Sequence, residues 1–266
     1  MKHIIKFRKH FYTNKASLAV YFVLRTLVVL SMLRSFFRGD YESVFLCVLT
    51  LVLMIMPSIF ARRLNLELPS TFEVIILLFI FSAEILGEIN NFYIKMPHWD
   101  TMLHTMNGFL CAALGFALID MMNREDKFSL KLSPAFLAVV AFCFSMTIGV
   151  LWEFFEFTGD ALLSLDMQKD TIVSTINTVN LDPTGTNTVI HTKNIEDVIL
   201  MYSDGTKDSL SVGGYLDIGL IDTMHDMFVN LIGAVTFSII GYFYVKHKGK
   251  GKGKIASIFI PKVNMK

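Results

Sequence analysis

Six apolar runs constrain the fold more than any other feature of the chain: about residues 16–34, 42–61, 70–92, 101–122, 134–157 and 222–245. A helix rises about 1.5 Å per residue, so roughly 20 residues cross a hydrocarbon core about 30 Å thick. In lipid every backbone N–H and C=O must be satisfied within the protein, which makes runs of this length helices. A chain of 266 residues that is 53% hydrophobic, with mean hydropathy +0.54, does not suit an ordinary soluble domain. The expected fold is an all-α membrane protein, a polytopic bundle of about six transmembrane helices with a small β-rich extracytoplasmic insertion. Residues 1–157 carry the first five spans, 158–220 the insertion, 221–245 the sixth span, and 246–266 a basic cytoplasmic tail.

Lys and Arg beside the membrane ends set orientation. With the N-terminus inside, Lys2, Lys6, Arg8, Lys9, Lys15, Arg62, Arg63, Arg124, Lys127, Lys131 and the C-terminal lysines face the cytoplasm. The outer side keeps Arg34, Arg38, Lys95, Lys169, Lys193 and Lys207, and Arg25 lies within the first span, where it either pairs with an acid such as Glu73 or snorkels. Both termini are therefore expected in the cytoplasm. The first run is longer than a signal-peptide core, and Ser31-Met32-Leu33-Arg34-Ser35 is a poor cleavage site, so it reads as a retained span. The lysines between Lys246 and Lys254, spaced by glycines, read as a topology signal and a contact for anionic lipid rather than for nucleic acid. The lipid bilayer is thus the expected partner, and oligomeric state is not legible. Cys47, Cys111 and Cys143 all fall inside spans, which leaves no disulfide framework or CxxC zinc motif. Each is expected to be a small buried hydrophobe.

The insertion is rich in Thr, Asn and Asp. Thr171–Val179 and Val198–Met201 have strand character, and Ser203-Asp204-Gly205-Thr206 predicts a hairpin with a type I′ turn. Leu181-Asp182-Pro183-Thr184-Gly185 is a second turn cluster.

Ionisable residues inside apolar runs are the functional lead. Each costs on the order of 2.5–3.5 kcal/mol at a helix centre, so it needs a partner, a cavity or a function. Glu84 and Glu88, Asp100 and His104, Glu153 and Glu156, and Asp222, His225 and Asp226 come from four spans and fall at the same side of the bilayer; Asn230 lies one turn deeper. Spacings of three or four place each pair on one helix face. Asp100-Thr101-Met102 and Asp222-Thr223-Met224 open two of these spans and form a weak internal repeat, with His104 corresponding to Asp226.

Three chemistries fit. His104, Glu153, Glu156 and Asp226 can hold a divalent metal, of which Zn²⁺, Mn²⁺ or Fe²⁺ suit imidazole among carboxylates better than Ca²⁺. Such a metal would activate water for hydrolysis of an outer-leaflet headgroup. Alternatively the acids relay protons or bind a cation in transport, with Asn107 and Asn230 extending the polar path inward. In the third reading they are hydrogen-bonded glue between helices, and Asp100 and Asp222 are helix N-caps. Gly108, Ala112, Gly115, Gly233 and Ala234 provide close helix packing, and Trp99 and Trp152 sit at the interface.

Trp99-Asp100-x-x-x-His104, Trp152-Glu153-x-x-Glu156, the run Gly214 to Met224 followed by Asp226, and Asn230-x-x-Gly233-Ala234 together resemble the YjdF-like family of bacterial membrane-spanning proteins. The similarity covers roughly Glu84 to Ala234. A more distant likeness to VanZ-like proteins rests on the short Asp-x-x-x-His and Asp-x-x-x-Asn-x-x-Gly patterns. The resemblance implies a multi-pass protein of the bacterial cytoplasmic membrane and supplies no catalytic residue. The function expected is cation binding by the outward-facing acidic and histidine cluster, extending to metal-dependent hydrolysis of a lipid or envelope substrate. Ion- or proton-coupled transport and a non-catalytic accessory role are the alternatives.

Overall fold

The structure is a computed structural model that describes residues 15–63, 66–124, 132–247, 259–260 and 262–263. Among the described residues five helical segments are long and apolar enough to cross a membrane, with Tyr41–Arg63 counted as one across its break. The chain divides into two compact units, residues 1–150 with 227–266, and residues 151–226; the divisions fall inside two continuous helices.

In the first unit, α1 (Lys15–Arg38) runs the length of the first apolar stretch. Gly39 at φ +75° ends it, with Gly39 N–H donating to Phe36 O and Asp40 N–H to Ser35 O, the paired bonds of a Schellman stop. Asp40 then caps α2 (Tyr41–Leu53) by accepting from Ser43 N–H at 3.1 Å. The second apolar run is interrupted at residues 54–55 and restarts as α3 (Met56–Arg63). Pro57, the second residue of α3, has no N–H to donate back, and its ring would crowd the Leu53 carbonyl.

The third run is not one α-helix. After the short β1 (Leu66–Glu67), α4 (Ser70–Phe81) passes directly into a π-helix, Ser82–Ile89, which ends where both Asn90 N–H and its side-chain amide reach Ile85 O. The short α5 (Phe92–Lys95) follows Asn91 in the left-handed region. The spans expected at 101–122, 134–157 and 222–245 form α6 (Trp99–Arg124), α7 (Pro134–Leu163) and α8 (Leu220–Lys246).

Burial separates these helices. Along α7 the buried positions are Leu137, Ala141, Ser145, Gly149, Glu153, Glu156 and Gly159, a single stripe at helical spacing, while Phe136, Val139, Leu151, Phe154, Phe155 and Phe157 are exposed and suited to lipid. α8 likewise buries one stripe from Asp226 to Gly241, whereas α6 is enclosed on more sides. Two apolar clusters make up the core of this unit. One joins Leu24 and Val28 of α1, Cys47 of α2, Met54, and Leu77, Phe81 and Ile85 of the third run. The other joins Phe72 of α4 to Ala112, Ala113 and Phe116 of α6, Leu137 and Ala141 of α7, Ala234 and Phe237 of α8, and Ile260. The chain beyond α8 thus returns to the bundle: Ile260 is 3% exposed, Phe259 meets the Phe109 ring edge-on, and Lys262–Val263 pairs antiparallel with β1. The lysines from Lys248 to Lys254, and those before residue 15, lie outside the described residues.

Of the three cysteines, all free, Cys47 is buried and Cys111 half-buried, but Cys143 is exposed because it lies off the α7 stripe. Arg25 donates to Leu51 O at 3.1 Å and places its guanidinium 4.5 Å from the Tyr21 ring centre.

The second unit holds the end of α7, the start of α8 and three antiparallel strand pairs. The expected strand Thr171–Val179 breaks at Ser174: β2 (Ile172–Val173) pairs with β7 (Tyr215–Leu216), and β3 (Ile176–Thr178) with β4 (Ile190–Thr192). β5 (Ile199–Met201) and β6 (Lys207–Ser209) form the expected hairpin, but not through a type I′ turn. Gly205 at φ +84° is the left-handed residue, Asp204 is not, and Gly205 N–H donates to Tyr202 O. This is a three-residue loop closed by a glycine bulge, for which a single positive φ suffices.

Candidate functional site

α6 begins at Trp99, which puts Asp100 in its first turn and His104 one turn on, with Nε2 3.5 Å from Asp100 Oδ1. His104 is 7% exposed. α8 begins at Leu220, so Asp226 lies in its second turn; it is 1% exposed, and the more exposed His225 sets Nδ1 3.5 Å from its Oδ1.

Glycines decide how closely α6 and α8 approach. A methyl group at Gly108 would overlap the Asn230 carbonyl oxygen, and one at Gly233 would overlap the Thr105 carbonyl oxygen. Each helix therefore lays its backbone on the other's missing side chain. At the crossing Asn107 Nδ2 donates to Asn230 Oδ1 at 3.1 Å. One turn before Asn230, α8 carries Asp226; one turn before Gly108, α6 carries His104. One ligand atom each from Asp100, His104 and Asp226 lie within 4.8 Å of one another, the one such grouping of His, Cys, Asp or Glu among the described residues. Two carboxylates at that separation repel unless one is protonated or positive charge, from a protonated imidazole or a cation, lies between them.

The other expected site residues are placed as follows. Glu153 and Glu156 of α7 are 4% and 9% exposed and are not in the grouping; Glu156 Oε1 accepts from the exposed Trp152 Nε1 at 2.8 Å. Glu84 and Glu88 lie in the π-helix, half-buried and exposed respectively, also outside the grouping. Asp222 is not the N-cap of α8: it sits inside the helix and its Oδ2 accepts from Lys169 N–H at 2.7 Å, while Asp217 Oδ2 takes the Ile221 N–H at 2.7 Å. Asp100 is likewise the second residue of α6 rather than the residue before it. Carboxylates in a first turn suit the helix dipole, so an Asp near a predicted start does not by itself locate the cap.

Sequence reading missed Asp120, 6% exposed near the far end of α6, and the staples of the second unit. Asp160 accepts from Met167 N–H at 2.6 Å and Gln168 N–H at 2.9 Å, Asp217 from Thr171 N–H at 2.6 Å, and the Gln168 amide reaches the Thr223 hydroxyl. Residues 167–171 are thereby tied to the end of α7 and the start of α8. Burial works against the Asp217 carboxylate, but backbone N–H groups of Thr171, Ile221 and Gly219 hold it below the usual range. Burial and the charges of Asp166, Asp217 and Asp160 push Asp170 the other way. The signal for these staples is only a surplus of Asp around residues 160–222, with no pattern that names their N–H partners.

Comparison with known proteins adds family but not activity. A family model described as a predicted membrane protein, DUF2238, matches residues 19–247. An uncharacterized protein of Thermotoga maritima is 27% identical over 107 residues, which is 40% of this chain and 53% of that protein. The chain thus spans about half the length of that curated relative. No solved structure matches. The YjdF-like resemblance fits the DUF2238 match, and the patterns behind the VanZ-like likeness have no counterpart in these findings.

Proposed function

The chain belongs to the DUF2238 family of predicted membrane proteins, and we propose that its activity centres on a cation held by Asp100, His104 and Asp226. The carrying observation is the convergence of three ligand atoms within 4.8 Å on two helices whose backbones touch at Gly108 and Gly233. One imidazole with two carboxylates matches the donor preference of Zn²⁺, Mn²⁺ or Fe²⁺, and three protein ligands leave a coordination position for water or substrate. Glu153 and Glu156 are the acids we assign to the margin of this site, Glu153 following Gly149 by one turn on the buried stripe of α7. We place the site at the extracytoplasmic side, with both termini in the cytoplasm and the strand-rich unit outside, on the distribution of Lys and Arg.

A bound divalent cation would polarise water or an ester oxygen. The residues' own contribution is to hold Asp226 and His104 buried beside the more exposed Asp100, and Glu153 is the proton acceptor we assign. Hydrolysis of a lipid or envelope substrate extends from cation binding and depends on it.

Metal content of detergent-purified protein, measured by mass spectrometry without chelator and after adding metal back, tests this reading. Stoichiometric metal in the parent, lost in His104→Gln and Asp226→Asn, is expected. Absence of metal from the parent under both conditions would overturn it.

A further inference from the structure

One turn further along α6 and α8 from the triad lies a second polar layer. Asn230 is 1% exposed, its Oδ1 accepts from Asn107 Nδ2, and its own Nδ2 faces Met146 Sδ at 3.6 Å. α7 makes room for this amide: a methyl group at Gly149 would lie 2.6 Å from Asn230 Nδ2 and 3.0 Å from its Cγ. Asn107 in turn accepts from Cys111 Sγ at 3.4 Å, and Ser145 Oγ donates to Gly108 O at 2.7 Å. The surroundings are otherwise small or apolar: Gly108, Ala112, Gly233 and Ala234.

The glycines restrict which faces of α6 and α8 can meet, because a side chain turned into either contact would overlap backbone. A buried amide narrows the rotation within that limit, since it loses its hydrogen bonds if the helix turns and finds no water to replace them. Rotation of α8 matters here because each residue step is about 100°, so a modest turn carries Asp226 away from His104.

We propose that Asn230 is the positioning residue of the triad: its side-chain amide, held by Asn107 on α6 and admitted by Gly149 on α7, sets the rotation of α8 that presents Asp226 to Asp100 and His104. This assigns a role within the site proposed above, but the presentation of Asp226 is measurable without any cation.

The test uses full-length protein with Cys47→Ser, Cys111→Ser and Cys143→Ser, serine at 111 keeping a donor to Asn107. His104→Cys and Asp226→Cys are added, and disulfide yield under mild oxidation is compared with Asn230 intact and with Asn230→Leu, which removes the amide at similar volume. A several-fold fall in yield with Asn230→Leu is expected, and Asn107→Leu, which removes the same bond from the other side, should give the same fall if Asn230→Leu does not fold. Equal yields, or no crosslink in either background, would overturn the proposal. In parallel, Co²⁺ is titrated into protein with the native triad. Asn230 bonds Asn107 and Met146, so it would act on the metal through the placement of Asp226, and Asn230→Leu should weaken Co²⁺ binding several-fold. Unchanged Co²⁺ affinity overturns the positioning role. A parent that binds no Co²⁺ while the crosslink still depends on Asn230 retires the cation and leaves the positioning role standing.

Discussion

Asp182 organises a whole turn through one side chain. Its carboxylate accepts from the N–H groups of Thr184, Thr186 and Thr188 and from the Thr184 hydroxyl, and these bonds hold it well down, to about 2. A carboxylate whose folded pKa lies below its ordinary 3.8 helps order the turn above that ordinary value and loses this contribution as pH falls toward 2. The amide signals of Thr184, Thr186 and Thr188 should therefore stay sharp and protected from exchange between neutral pH and about 4 and lose protection below, with the midpoint displaced toward about 2. In Asp182→Asn they should be less protected at every pH, and protection unaltered by the substitution would refute the assignment. Asp204 repeats the motif with Thr206 N–H and hydroxyl, also with its carboxyl lowered, chiefly by the Thr206 side chain. The turn cluster around Asp182 was legible in the chain's Asp-Pro-Thr-Gly, whereas the reach to Thr186 and Thr188 was not, since side-chain bonds across several loop residues leave no periodicity. Asp100 is the converse case. Its spacing to His104 was plain, but its membership of the same group as Asp226 depends on a residue 126 positions away in another helix.

At the scale of elements, the α6–α8 crossing is the least forgiving contact. Thr105 and Gly108 relate to Asn230 and Gly233 by 125 positions in each case, whereas the Asp-Thr-Met repeat relates by 122, from Asp100 to Asp222. The reciprocal packing therefore does not use the repeat seen in the chain; the two relations differ by three residues, nearly one turn. Gly108→Ala sets a methyl group against backbone, which cannot swing aside as a side chain can. Overpacking of this kind costs about 1–3 kcal/mol. A lowered thermal midpoint in detergent is expected, and Gly108→Ala with undiminished stability would mean that the helices do not touch there. The small residues of both helices pointed to close packing before any coordinates. The π-helix at Ser82–Ile89 had no such warning, because an apolar run reads alike with i→i+4 and i→i+5 bonding. The strand break at Ser174 was hidden for a related reason: period-two alternation reports which face is buried, not which partner strand supplies the bonds.

For the molecule as a whole, the proposed orientation makes a labelling prediction. In the cysteine-free background, Ser203→Cys in the hairpin loop should react with a membrane-impermeant maleimide in intact cells. Arg63→Cys at the end of α3 should react only after permeabilisation, and the reverse pattern would invert the topology. That this chain enters a membrane followed from its sequence alone, because a run of about 20 apolar residues has few other stable fates in water or lipid. The helices at 99–124, 134–163 and 220–246 and the family itself were equally legible, being properties of local composition and contiguous motifs. Tertiary structure alone decided three things: which of ten candidate polar residues share one group, the return of Ile260 into the apolar core, and the use of Asp217 rather than Asp222 at the head of α8. Each depends on the rotation and crossing of helices. Those are set by contacts between residues far apart in the chain, such as Gly108 with Asn230 and Phe109 with Phe259, and no local pattern encodes them.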